Sequence, residues 1–153
     1  DILFWVGCAG SFDQRAQKIT RAFATILNKL DVNYAILGKE EACTGDPVRR
    51  AGNEFMFQMM AYQNIQVLNN YGVKKIVTTC PHCFNVLKNE YPELGGNYTV
   101  MHHSAYLQEL INEGRIKMKE SGDFKADDRE SLSNSIVFTT GVDTNIIINA
   151  MVL

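Results

Sequence analysis

Four cysteines carry the chemistry open to this chain, and each lies just past the end of a predicted β-strand. Cys8 follows the apolar run Ile2-Leu3-Phe4-Trp5-Val6, and Cys43 comes a few residues after Tyr34-Ala35-Ile36-Leu37. Cys80 and Cys83 close Lys75-Ile76-Val77-Thr78-Thr79 as the tetrad Cys80-Pro81-His82-Cys83. If those strands lie parallel in one sheet, their C-terminal ends share the edge where open α/β sheets place ligands. Thiolates are soft donors, and four of them at one edge point to a soft metal centre, above all a [4Fe–4S] cluster. The C-x-x-C supplies two from one turn at a predicted helix start, where the helix dipole favours thiolate.

Two other chemistries stay open on the same residues. Zn²⁺ takes four thiolates tetrahedrally, although structural zinc sites usually use two closely spaced pairs and here Cys8 and Cys43 stand alone. A zinc centre would make this a structural or interaction domain. Strand, Cys-Pro-His-Cys and helix is also the context of a thiol–disulfide oxidoreductase. Against it, the tetrad follows two complete β/α units, and Pro92 comes too early to be the later proline that a thioredoxin fold needs. Around the cysteines, Arg49 and Arg50 are candidates to balance a negative cluster. Thr44 and His82 are candidate neighbours of it, and His102 and His103 fall at the same sheet edge. Met56, Met59 and Met60 with Phe55 and Phe57 have helical spacing and read as core, not as a cofactor box.

The elements that must position these residues alternate strand and helix. Asp13 can cap a helix through Ala16, Ile19, Phe23, Ile26, Leu27 and Leu30, after a tight turn at Gly10-Ser11. A polar loop carries Cys43 to Arg50, and Gly52 or Asn53 opens a long helix closed by Gly72. The tetrad leads into a short helix through Phe84, Val86 and Leu87, ended by Pro92 and Gly95-Gly96. A fourth strand, Tyr98 to Met101, reaches the histidines, and Ser104 can cap a last helix to about Asn112. The expected fold is α/β: a mainly parallel four- to five-stranded sheet with helices on both faces, in Rossmann-like layers. Residues 1–116 form the cysteine-rich domain, 117–135 a polar linker or loop, and 136–153 a strand-like tail that can add a fifth strand.

The chain has 153 residues, 46% hydrophobic and 21% charged, enough for one domain with a real core. A net charge of −2 gives no reason to expect nucleic acid or a membrane surface as partner. No apolar run approaches the roughly 18 residues of a membrane span. The start lacks a basic n-region and an initiator Met, so the expectation is a piece of a longer protein without a signal peptide. Cysteine density is below that of a disulfide scaffold, which favours the cytoplasm.

Three segments carry a family resemblance. Trp5-Val6-Gly7-Cys8-Ala9-Gly10-Ser11, the run Glu41-Ala42-Cys43-Thr44-Gly45-Asp46-Pro47-Val48-Arg49-Arg50-Ala51-Gly52-Asn53-Glu54, and Thr79-Cys80-Pro81-His82-Cys83-Phe84-Asn85 resemble the cysteine-rich CCG domain. That domain occurs in heterodisulfide reductase, in heterodisulfide-reductase-like iron–sulfur proteins, and in iron–sulfur subunits of glycolate, glycerol-3-phosphate and lactate oxidation systems. The resemblance implies a domain usually present twice per polypeptide, with Cys8, Cys43, Cys80 and Cys83 as ligands of a [4Fe–4S]-type centre. It implies partner chains carrying flavin or ferredoxin-like clusters, a second cysteine-rich repeat, and a place in the cytoplasm or at the periphery of a membrane-bound complex. It also implies an oxidoreductase module that is not active alone. Where the motif has Cys-Cys-Gly this chain has Cys43-Thr44-Gly45, which favours a single cubane over the non-cubane clusters of the five-cysteine form. The tail departs as well, since Val137-Phe138-Thr139-Thr140-Gly141 lacks the His-Asp-x-Cys turn that opens the second half of relatives.

Overall fold

The computed structural model of the chain describes residues 2–118 and 136–138. Strand β1 (Ile2–Trp5) is followed by helices α1 (Gly7–Phe12) and α2 (Gln14–Lys29), then β2 (Tyr34–Ala35) and a 3₁₀ turn at Gly38–Glu40. Helices α3 (Asp46–Arg50) and α4 (Glu54–Asn70) lead to β3 (Lys75–Thr78). Helix α5 (Pro81–Asn85) runs on as a π turn at Val86–Glu90 and a 3₁₀ turn at Tyr91–Leu94. Then come β4 (Thr99–His102), α6 (His103–Asn112), β5 (Ile116–Met118) and β6 (Ile136–Phe138).

Strands β2-β1-β3-β4 form one sheet, all parallel. The chain steps outward from β1 to β2, then crosses back over β1 to β3. The strand order therefore reverses between β1 and β3, and the crevice at their C-terminal ends is the switch point of the sheet. Alternation along β1 sorts its side chains to two cores. Ile2 and Phe4 pack with Phe23, Ile26 and Leu27 of α2 and Tyr106, Leu107 and Leu110 of α6. Leu3 and Trp5 pack on the other face with Phe57, Ala61, Ile65 and Leu68 of α4 and with Val86, Leu87 and Tyr91. Both faces are covered, as an all-parallel sheet requires.

The expected caps hold at two helices. Asp13 accepts the amide of Ala16 at 2.8 Å at the start of α2, and Asn53 accepts that of Met56 at 3.1 Å at the start of α4. Other expectations need correction. The turn at Gly10-Ser11 is part of α1, and the polar loop after Cys43 contains α3. Pro92 stands in the first turn of a 3₁₀ segment instead of ending a helix, and His102, not Ser104, occupies the cap position of α6. Phe55, Met56 and Met59 are exposed, so only Phe57 of that aromatic–methionine group is a fully buried core residue. Strand β6 pairs antiparallel with β5 in a separate two-stranded sheet and does not extend the main one. Lys117 and Met118, assigned to the linker, belong to β5. The remainder of the linker (119–135) and the tail beyond Phe138 lie outside the described residues. Among the described residues, no helix is long and apolar enough to cross a membrane.

Candidate metal centre

The cysteines come to one place because three crossovers end at one sheet edge. Cys8 is the second residue of α1 and is exposed. Gly7, at φ +76°, reverses the chain directly from β1 into that helix. Gly7 also keeps space open: a Cβ there would stand 3.2 Å from Cys83 Sγ and 3.8 Å from Cys80 Cβ. The corner is held by Glu41, whose carboxylate accepts the amides of Val6 at 3.0 Å and Gly7 at 2.5 Å. Burial raises the pKa of Glu41, and those amide donors oppose the rise.

Cys43 is half-buried in the loop before α3. Its carbonyl accepts a hydrogen bond at 3.0 Å from Asn64 Nδ2 of α4, which also donates to Tyr91 Oη at 3.0 Å. Tyr91 in turn donates to the Thr44 carbonyl at 3.2 Å. Asn64 and Tyr91 are almost wholly buried, so this small network fixes the Cys43-Thr44 backbone from inside the core. Thr44 is buried as well, with its hydroxyl 4.0 Å from Cys83 Sγ.

Cys80 caps α5, receiving the Cys83 amide on Sγ at 3.5 Å, with Pro81 in the first turn. Hydrogen bonding from Cys83, helped by the Cys83 and His82 amides and the His82 charge, lowers the Cys80 pKa against the cost of burial. The same pairing, with burial and the Cys80 charge, raises that of buried Cys83. Burial raises Cys8, and Cys43 and Cys80 add to the effect, so Cys8 feels thiols from both other loops. Among the described residues, no three His, Cys, Asp or Glu side chains gather tightly enough to hold one metal ion. The thiols come together as two pairs, Cys8 hydrogen-bonded to Cys43 and Cys80 to Cys83. A cavity of about 460 Å³ opens beside Cys8 and Cys43, with Phe12 and Lys39 on its walls. A larger one, about 550 Å³, lies against Ile36 and Tyr71, and no cysteine lines it.

The other candidate residues separate. His82 is exposed in the α5 turn beside Cys80. His102 bridges β4 to the cysteine tetrad, with Nε2 3.3 Å from the Thr79 carbonyl and Nδ1 2.8 Å from Ser104 Oγ. Because a carbonyl only accepts, Nε2 carries the proton and Nδ1 accepts from the serine. Arg49 and Arg50 are engaged elsewhere. Arg49 pairs with Glu54 at 3.1 Å and Glu90 at 2.7 Å and lies over the Phe57 ring, while Arg50 pairs with Asp46 and Glu90. Their charge is met by carboxylates and ties α3 to the segment after α5.

His103 packs edge-on against Phe23, with centroids 5.8 Å apart, and its buried Nδ1 has no partner among the described residues. Burial, then the neighbouring His102, lower its pKa from 6.5 to about 4. His103 is thus neutral when folded but protonated when unfolded between those values, so stability falls as pH drops from 6.5 towards 4. His103→Phe should flatten that acid limb, read as melting temperature of the metal-free protein across the same pH range.

Sequence reasoning missed three residues. Glu41 opens the second of the runs that carry the family resemblance, but nothing local gives it a partner in the first. Tyr91 is one aromatic among many. Asn64 did leave a trace, as a polar residue at a core position of α4 between Ala61, Ile65 and Leu68.

Residues 2–88 match the family model of the CCG cysteine-rich domain. The chain is 48% identical over 117 residues to the EtfAB:quinone oxidoreductase of Syntrophomonas wolfei, which covers 76% of this chain and 16% of that protein. It is 49% identical over 117 residues to the probable iron-sulfur-binding oxidoreductase FadF of Bacillus subtilis, covering 76% of this chain and 17% of that one. Over 127 residues it is 32% identical to one subunit of the dihydromethanophenazine:CoB–CoM heterodisulfide reductase of Methanosarcina mazei, covering 79% and 31%. The chain therefore spans less than a third of the length of each of these proteins. No solved structure gave a significant match.

Proposed function

This chain belongs to the CCG cysteine-rich domain family, and from that premise we propose that it is an iron–sulfur electron-transfer module, one [4Fe–4S] cluster being held by Cys8, Cys43, Cys80 and Cys83. The observation that carries the reading is the approach of all four thiols from three loops at the switch point of the sheet. A zinc ion needs its thiolates at about 2.3 Å from a single point. A cubane asks one thiolate of each iron, so its ligands surround a body, and four thiols brought by three separate loops supply that number. Two further features fit the group. Gly7 leaves room against Cys83 that any side chain would occupy. The indole N–H of Trp5, wholly buried in the same core as Cys83, has no hydrogen-bond partner among the described residues, a donor left open to an added acceptor.

When bound, the cluster supplies reversible one-electron transfer. The chain's part is to orient and shield. Cys80 is already biased to thiolate by the hydrogen bond from the Cys83 thiol and then by its own helix cap, whereas Cys83 must yield its proton before it can ligate. Thr44 and the Asn64–Tyr91 pair hold the second loop, and His102 holds the third through Thr79. The relatives named are several times longer or are parts of larger enzymes, so electrons enter and leave through partner domains with flavin or further iron–sulfur clusters. A module of this kind works in the cytoplasm or at the periphery of a membrane complex.

One observation favours a second reading. A low-pKa Cys80 beside a buried, high-pKa Cys83 is the pattern of an attacking and a resolving thiol, so thiol–disulfide exchange is the competing function. Counting iron, zinc and acid-labile sulfide in anaerobically purified protein decides between them. About four irons and four sulfides per chain are expected. One zinc without sulfide, or a metal-free chain that cycles a Cys80–Cys83 disulfide, would overturn the electron-transfer reading.

A further inference from the structure

We propose that Glu41 is the positioning residue that sets the distance between the Cys8 and Cys43 thiols, acting as a two-point staple between the loops that carry them. The inference rests on the cluster reading for its purpose but on geometry alone for its substance. Cys8 and Cys43 belong to different crossovers and share no secondary structure. Cys80 and Cys83, by contrast, are fixed to each other by one helical turn. Between the two lone cysteines, Glu41 makes the connection: its backbone lies two residues before Cys43, and both its carboxylate oxygens receive amides at the corner that leads into Cys8.

The chemistry of the link makes it specific. The amides of Val6 and Gly7 belong to the end of β1 and the start of α1, where no strand partner or earlier helical turn takes them. A carboxylate offers a separate acceptor oxygen to each of two neighbouring amides and presents no donor to either. Hydrogen bonds to an ionised acceptor are short and about twice as strong as neutral ones. The contact is half-buried, which keeps water from competing for the same donors. The far end of the loop is held separately, by Asn64 on the Cys43 carbonyl. Glu41 and Asn64 thus clamp the loop from opposite sides, and it is Glu41 that refers it to Cys8.

The test compares the two cysteine pairs in one molecule. The metal-free 153-residue chain is exposed to oxidised glutathione, which accepts the two electrons and two protons released as each thiol pair closes. The Cys8–Cys43 and Cys80–Cys83 disulfides are then timed by peptide mapping. In Glu41→Gln, one amide loses its acceptor and meets an amide donor, and the Cys8–Cys43 closure should slow about tenfold. Closure of Cys80–Cys83 should be unchanged, because that pair depends on its own helix cap. A parallel slowing of both pairs would show general loosening, and equal Cys8–Cys43 rates in both proteins would remove Glu41 from the role; either overturns the proposal. Glu41→Ala adds a second step in the same direction, and should it fail to fold, the glutamine variant decides. Iron loss to a chelator from reconstituted protein, faster in Glu41→Gln, reads the same effect with the cluster present. If neither protein binds iron, the cluster reading falls while the disulfide rates still judge Glu41.

Discussion

Cys43→Ser should lower the iron content of anaerobically purified protein by roughly tenfold or more, since even residues that only support a metal ligand are worth that much. Serine is close to isosteric, and the loop around it is held by contacts that do not use the thiol: Asn64 on the Cys43 carbonyl and Tyr91 on the Thr44 carbonyl. The variant should therefore fold, with helix content and melting temperature of the metal-free protein unchanged. What it loses is the soft donor, and no neighbour replaces it. Thr44 stands where the family pattern has a second cysteine, and His82, His102 and His103 belong to α5, β4 and α6. Full retention of iron and sulfide would remove Cys43 from the ligand set. Thr44→Ser, which keeps the hydroxyl near Cys83, is the control and should retain iron.

The second large effect concerns stability. Gly45→Ala should lower the melting temperature by about 10 °C, from roughly 3 kcal/mol of destabilisation. Gly45 sits at φ +89°, the left-handed region, at the start of α3. A side chain in that conformation costs about 1 kcal/mol. The larger part comes from space. A Cβ would lie 2.8 Å from the Phe57 ring and 3.6 Å from the Phe57 Cα. Phe57 is buried in the α4 core and covered by the Arg49 guanidinium at 4.6 Å, so the ring has nowhere to retreat. Gly52 separates the two contributions: its φ is +87°, yet a Cβ there meets nothing within 4 Å. Gly52→Ala should show the backbone cost alone. Equal losses at both positions would mean that Phe57 does not confine Gly45.

The parts of this molecule written in short-range patterns are legible in the sequence alone. Short continuous apolar runs mark β1 and β3, Asp13 and Asn53 mark helix starts, and strand-end placement marks the cysteine edge. Longer-range facts are not written there. Nothing local says that Arg49 will find Glu90, 41 positions away, or that Arg50 will join it. On sequence grounds both arginines are therefore free to balance a cluster. Helical spacing fixes that Phe55, Met56 and Met59 lie on a helix, not what lies against them, and so their exposure escapes it. The role of Glu41 is invisible for the same reason: it lies in two amides that only the parallel pairing of β1 with β2 brings alongside.

The strand order also governs biosynthesis. Cys8 leaves the ribosome early, but its companions in the tetrad arrive only when β3 has been made and has paired with β1 across the earlier crossover. Until then the first two loops present a half-built socket of exposed thiols. On the cluster reading proposed above, delivery of the cofactor would wait for the third β/α unit, and a nascent chain stalled before Thr78 would expose Cys8 and Cys43 to oxidation with nothing to shield them.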